Sequence, residues 1–171
     1  MDFKQLASDR YSCRRLSDRK VDESTVRHLL EVQRLAPTAA NRQPQRIYVL
    51  EGEDAVKTIA KATHYDFGAR LFFVVCYDKD ESWKRKFDGF DGGIMDAVII
   101  GCHLDLAVAA AGLGTCWIAH FDPDALRDAM DLPDNHIPVA IFPIGYPAED
   151  ARPSRAHTDR RPLDDTVIDR R

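Results

Sequence analysis

The chain has 171 residues, 44% of them hydrophobic, which is enough for one domain (residues 1–171) with a continuous core. Its formal net charge of −4 gives no reason to expect nucleic acid or an anionic membrane as a partner. No apolar run approaches the roughly 20 residues that cross a bilayer. The opening "MDFKQLASDRYSCRR" lacks the basic-then-apolar order of a signal peptide, so a cytoplasmic location is expected.

In chain order, residues 2–8 read as a short helix, and "RYSCRRLSDRKVD" as a polar, basic loop. "DESTVRHLLEVQRLA" has Asp22 as a candidate N-cap, with Val26, Leu29, Leu30 and Leu35 at helical spacing. "RIYVLEG" reads as a strand, "EDAVKTIAKATH" as a helix, and the unbroken apolar "RLFFVVCYD" as a strand buried on both faces. After the charged loop "DESWKRKFDGFDGG" comes a long helix over residues 94–111, closed by Gly112. It is apolar on nearly all sides, so a second subunit is expected to supply part of its cover. "GTCWIAHF" reads as a strand, "DPDALRDAMDL" as a helix capped by Asp122 with Pro123 at its first position, and "IPVAIFPIGYP" as the last strand. A polar tail follows. The sum is an α+β fold of about four strands and four or five helices.

The usual catalytic signatures are absent. There is no P-loop, no G-x-S-x-G, no H-E-x-x-H and no carboxylate pair, and the "GLGTCW" stretch puts Trp117 where a dinucleotide fingerprint needs its third glycine. Cys13, Cys76, Cys102 and Cys116 form no C-x-x-C pair and read as reduced thiols, with no metal site expected. What stands out is "RYSCR". In an extended segment Arg10, Ser12 and Arg14 point the same way, and two guanidiniums around a hydroxyl suit an anion such as phosphate. Alone, that segment also reads as a solvated basic stretch, and Arg160 and Arg161 in "HTDRRPLDD" also read as part of a solvated tail. The two clusters could meet, because chain ends are often close in space. Between them, "APTAANRQPQR" offers the neutral amides Asn41 and Gln43, suited to a flat heteroaromatic ring.

Together these stretches resemble the FMN-dependent nitroreductase family. "RYSCR" is similar to its R-x-S-x-R element and "APTAANRQPQR" to its A-P-S-x-x-N-x-Q-P-W element. "AAAGLGTCWIAHFD" is similar to its G-L-G-T element, and "PIGYP" followed by "RRPLDD" to its closing R-x-P-L-E-E. The resemblance implies a central, mostly antiparallel sheet of four to five strands flanked by helices, in an intertwined homodimer with two FMN sites at the interface. It implies an NAD(P)H oxidoreductase that reduces small electron-poor acceptors, such as nitroaromatics or quinones, by a ping-pong hydride mechanism. Under it, Arg10 and Ser12 hold the FMN phosphate with Tyr11 beside them, Arg14 approaches the pyrimidine edge, and Arg160 and Arg161 complete the phosphate site. Asn41 and Gln43 bond flavin or ribityl atoms, while Pro37, Thr38 and Ala39 approach the ring from the partner subunit. The backbone of Ala119 or His120 faces flavin N5, so no catalytic side chain is needed.

This chain departs from the family pattern at Gln45, where relatives carry Trp. At the pyrimidine edge it offers His64 or Tyr65, and its lid is short, with Trp83, Phe87 and Phe90 as candidate linings. These departures leave open an alternative: a flavin-binding or flavin-consuming module on the same scaffold.

Overall fold

A computed structural model describes residues 2–171. Four strands, β1 (Gln45–Glu51), β2 (Leu71–Asp78), β3 (Gly114–Thr115) and β4 (His136–Gly145), form a sheet in the order β1-β2-β4-β3, and every paired neighbour is antiparallel. The α-helices are α1 (Phe3–Asp9), α2 (Glu23–Arg34), α3 (Gly52–Ala60), α4 (Gly93–Ala110), α5 (Pro123–Met130) and α6 (Leu163–Thr166).

β2 explains the layering. All of its residues are buried, and the pleat sends alternate side chains to opposite faces. Phe73, Val75 and Tyr77 meet α2 and α4 through Leu29, Ala97, Leu104 and Val108. Phe72, Val74 and Cys76 meet α3 and α5 through Ala55, Ile59 and Leu126. Burial pushes the Cys76 thiol up to about 12, so this cysteine is a core side chain. The Asp22 cap is as expected, with its carboxylate accepting the Thr25 N–H at 2.8 Å.

The expected strand over "GTCWIAHF" is cut in two. Gly114 and Thr115 pair with Gly145 and Ile144, and the same register resumes only at Ile118, opposite Ile141. The residue opposite Cys116 in that register is Pro143, which has no N–H to donate. The tail also differs from a plain polar extension. It forms a 3-10 turn over Arg155–His157 and the short α6, whose N-cap is Pro162 and whose first turn carries Asp164 and Asp165.

Among the described residues, α4 is covered along one side and open along the other. Ala97, Ile100, Gly101, Leu104, Ala107 and Val108 are buried, while Ile94, Met95, Val98 and Ile99 stand exposed in a row. The helix can pack so near the sheet because it begins on a glycine. A Cβ on Gly93 would lie 2.1 Å from Cδ2 of Tyr77. Gly93→Ala is therefore expected to cost about 1–3 kcal/mol through overpacking, read as a drop of several degrees in Tm.

Candidate functional site: an anion cradle and a strained amide loop

Residues 10–14 run along the outer edge of β3. Ser12 forms a parallel bridge with Thr115, and the Cys13 N–H donates to the Thr115 carbonyl at 2.8 Å. This extended course turns Arg10, Tyr11, Ser12 and Arg14 into a cleft of about 150 Å³, whose far wall is Ser154, Ala156, His157 and Arg160. The two ends of the chain do converge. Arg161 is exposed and does not line the cleft.

The charge in this cleft is nearly all of one sign. Arg10 Nε lies 3.6 Å from Asp105 Oδ2 on α4, and among the described residues Arg14 and Arg160 pair with no carboxylate. Arg14 makes only a long 3.4 Å bond to its neighbour's carbonyl on Ser12, and Arg160 bonds tail carbonyls, including that of Asp159 at 2.7 Å. Burial pushes the Asp105 carboxyl up, and the Arg10 guanidinium offsets part of that rise. Burial also raises the Tyr11 phenol, with Cys13 adding to the effect, so Tyr11 keeps its proton and its capacity to donate. Three guanidiniums with the Ser12, Ser154 and Tyr11 hydroxyls make a donor set that fits a phosphate dianion.

The loop over residues 36–44 is the second element. Ala40, Asn41 and Gln43 all have left-handed backbones, with φ of 51°, 52° and 50°. Each costs on the order of 1–3 kcal/mol, so the surroundings must enforce the shape. The Gln43 N–H donates to Thr38 Oγ1 at 3.0 Å, and the Ala39 N–H donates to Asp96 Oδ1 on α4 at 2.8 Å. The Asn41 and Gln43 side chains are exposed, as is Pro37, while Thr38 and Ala39 are half-buried. None of these residues lines the Arg10 cleft. Asp96 ties the loop near the start of α4 and Asp105 ties the cradle near its end, about 13 Å further along the axis at 1.5 Å per residue.

A third group gathers beside β4. Ala119 and His120 are exposed, and the His120 carbonyl accepts the Thr63 hydroxyl at 2.9 Å. His64 lies against Tyr65 at a 44° tilt with ring centres 4.0 Å apart, and Tyr65 lies 5.9 Å from the His120 ring. Gln45 is half-buried, and its Oε1 is buried without a partner.

The segment between β2 and α4 is pinned by Asp91. Its carboxylate takes hydrogen bonds from the Ser82 hydroxyl (2.6 Å) and the Gly93 N–H (2.9 Å), and pairs with Lys84 at 2.7 Å. Partial burial opposes its ionisation, but these partners outweigh it and hold its pKa at about 2. Trp83 packs where a Cβ on Gly92 would sit, Phe90 lies under the Arg85 guanidinium, and Phe87 projects into solvent at 98% exposure.

Sequence reading missed Ser154 and His157 in the cradle, and the two aspartates of α4. The Pro-Ser-Arg-Ala-His run was the one signal for Ser154, since serine is a preferred helix N-cap. A cavity of about 490 Å³ lies elsewhere, between residues 17–21 and the start of α3. Arg19, Lys20 and Arg70 are balanced there by Asp18, Glu51 and Glu53, so it offers no comparable anion site.

Comparison with known proteins agrees with the architecture. The chain is similar to a nitroreductase family protein from Clostridium difficile 630, at 39% identity and a TM-score of 0.91 over 98% of this chain and 97% of that one. A protein from Desulfovibrio desulfuricans, assigned as a nitroreductase and solved in complex with FMN, superposes with a TM-score of 0.83 at 26% identity over 98% of this chain and 96% of that one. A protein named NADH dehydrogenase from Thermus thermophilus is 26% identical over 203 residues, which is 98% of this chain and 96% of its own length. The sequence profile of the nitroreductase family matches residues 7–71 and 64–146, and the chain belongs to that family.

Proposed function

We propose that this chain is a cytoplasmic, FMN-dependent NAD(P)H oxidoreductase, one flavin-binding domain over residues 1–171. It works as a homodimer with two cofactor sites at the interface. The observation that carries this reading is the convergence of Arg10, Ser12 and Arg14 with Arg160, from opposite ends of the chain, on one cationic cleft. Relatives assigned as nitroreductases bind FMN, and a phosphate monoester is the group this cleft is built to hold.

FMN held here would supply two-electron chemistry between NAD(P)H and an electron-poor acceptor such as a nitroaromatic or quinone. The protein's part is position and field. Arg10, Ser12, Tyr11 and Arg160 grip the phosphate. Arg14 places positive charge at the pyrimidine edge, where negative charge develops. The main chain at Ala119 or His120 offers the contact at N5. The amides Asn41 and Gln43, with Pro37, Thr38 and Ala39, close on the ring of the partner's cofactor.

Purified protein is expected to be yellow, to release FMN on denaturation, and to bleach within a stopped-flow record when mixed with NADH or NADPH. Flavin that binds but stays oxidised with both nucleotides would instead favour a flavin-binding module without reductase activity. Colourless protein that FMN does not reconstitute would end the proposal.

A further inference from the structure

Asp96 is a buried side chain that uses only one of its two carboxyl oxygens. It is 2% exposed, Oδ1 accepts the Ala39 N–H at 2.8 Å, and Oδ2 is buried with no partner. A buried acceptor left unmet works against folding, and leucine, with the same number of side-chain heavy atoms, would stand at this core position without that cost. What leucine could not do is hold Ala39. Between its entry, where the Ala36 N–H donates to Gln33, and its exit, where Pro44 accepts from Asp78, the loop bonds mainly to itself. Among the described residues, the Ala39–Asp96 bond is the one hydrogen bond joining the loop's interior to another element. It enters immediately before Ala40, where the run of left-handed residues begins. A strained loop keeps its shape only where its surroundings over-determine it.

We infer that Asp96 is a positioning residue for the flavin ring: it fixes the strained Ala40–Gln43 amides so that they meet the isoalloxazine, at a cost to the stability of its own core position. This rests on the flavin-binding function proposed above. The phosphate cradle and the ring contacts then answer to different residues, and ligands that share the ring but differ in the phosphate separate them.

The test compares riboflavin and FMN affinities, by flavin fluorescence quenching, for wild type, Asp96→Leu and Asp96→Asn, with amide exchange of residues 37–43 in the flavin-free proteins. D96L is expected to weaken both flavins roughly tenfold or more, leaving their affinity ratio unchanged. Its Tm is expected to be kept or raised, and its loop amides to exchange faster. D96N retains an acceptor for the Ala39 N–H and is expected to restore both affinities and loop protection. The inference is overturned if D96L binds riboflavin as wild type does, if D96N fails as fully as D96L, or if D96L loses binding only in step with a fall in Tm. A wild-type protein that binds neither flavin overturns the proposed function instead, and loop exchange still decides whether Asp96 holds the loop.

Discussion

Val98→Glu combined with Ile99→Glu is expected to give a folded monomer without flavin. These side chains are 39% and 36% exposed on the free protomer and continue a row begun by Ile94 and Met95 at 52% and 46%. Glutamate at such positions leaves the protomer folded, because more than a third of each side chain already meets solvent and glutamate is a better helix former than valine or isoleucine. Across a two-fold interface the same change places four carboxylates against one another in apolar surroundings, where each uncompensated charge costs several kcal/mol. Light scattering gives the mass, circular dichroism the fold, and visible absorbance the cofactor. A monomer that holds FMN as tightly as wild type would place the whole site in one protomer and overturn the crossing of the amide loop.

Arg10→Ala is expected to lower FMN affinity by about 10- to 150-fold, the equivalent of a charge-assisted phosphate contact worth about 1.5–3 kcal/mol. Riboflavin affinity should be untouched. The substitution has a second effect that depends on pH, because Arg10 is the counter-charge of Asp105. Burial already holds that carboxyl above its usual range, and without Arg10 it rises further. A carboxyl raised in the folded state stabilises fully only while it is protonated in both states, below about pH 4. The penalty then grows as pH climbs towards the folded value. Denaturant titrations should show R10A close to wild type in acid and less stable at neutral pH. Equal stability at neutral pH would mean that Arg10 does nothing for Asp105.

Much of the fold is legible in the residues because it follows periodicity and caps. β2 announces burial on both faces by being apolar throughout, and Asp22 announces α2 by the oxygen it offers to Thr25. α4 announces an uncovered face by having more apolar sides than a chain of this size can cover. The break after Thr115 is not legible from its own sequence, because its cause is Pro143, on a strand whose register is set only by folding. The site divides in the same way. Arg10, Ser12, Arg14 and Arg160 are visible as charges in a pattern. His157 and Asp105 enter through tertiary contact alone, and Asp96 reads locally as an ordinary helix-start aspartate. The left-handed run at Ala40, Asn41 and Gln43 also escapes sequence reading, since alanine and glutamine give no warning of positive φ.

The bridge between Ser12 and Thr115 has a consequence for solubility. β3 is the last strand of the sheet and pairs over only two residues, so its outer side would be an open row of backbone donors and acceptors. The segment carrying Arg10, Ser12 and Arg14 lies over that row and closes it, with Leu16 bridging Pro147 further along. An unpaired edge is a template for association with other chains. The five residues proposed to grip the phosphate thus also guard the sheet edge against aggregation, and detaching them would expose sticky backbone before it unfolded the core.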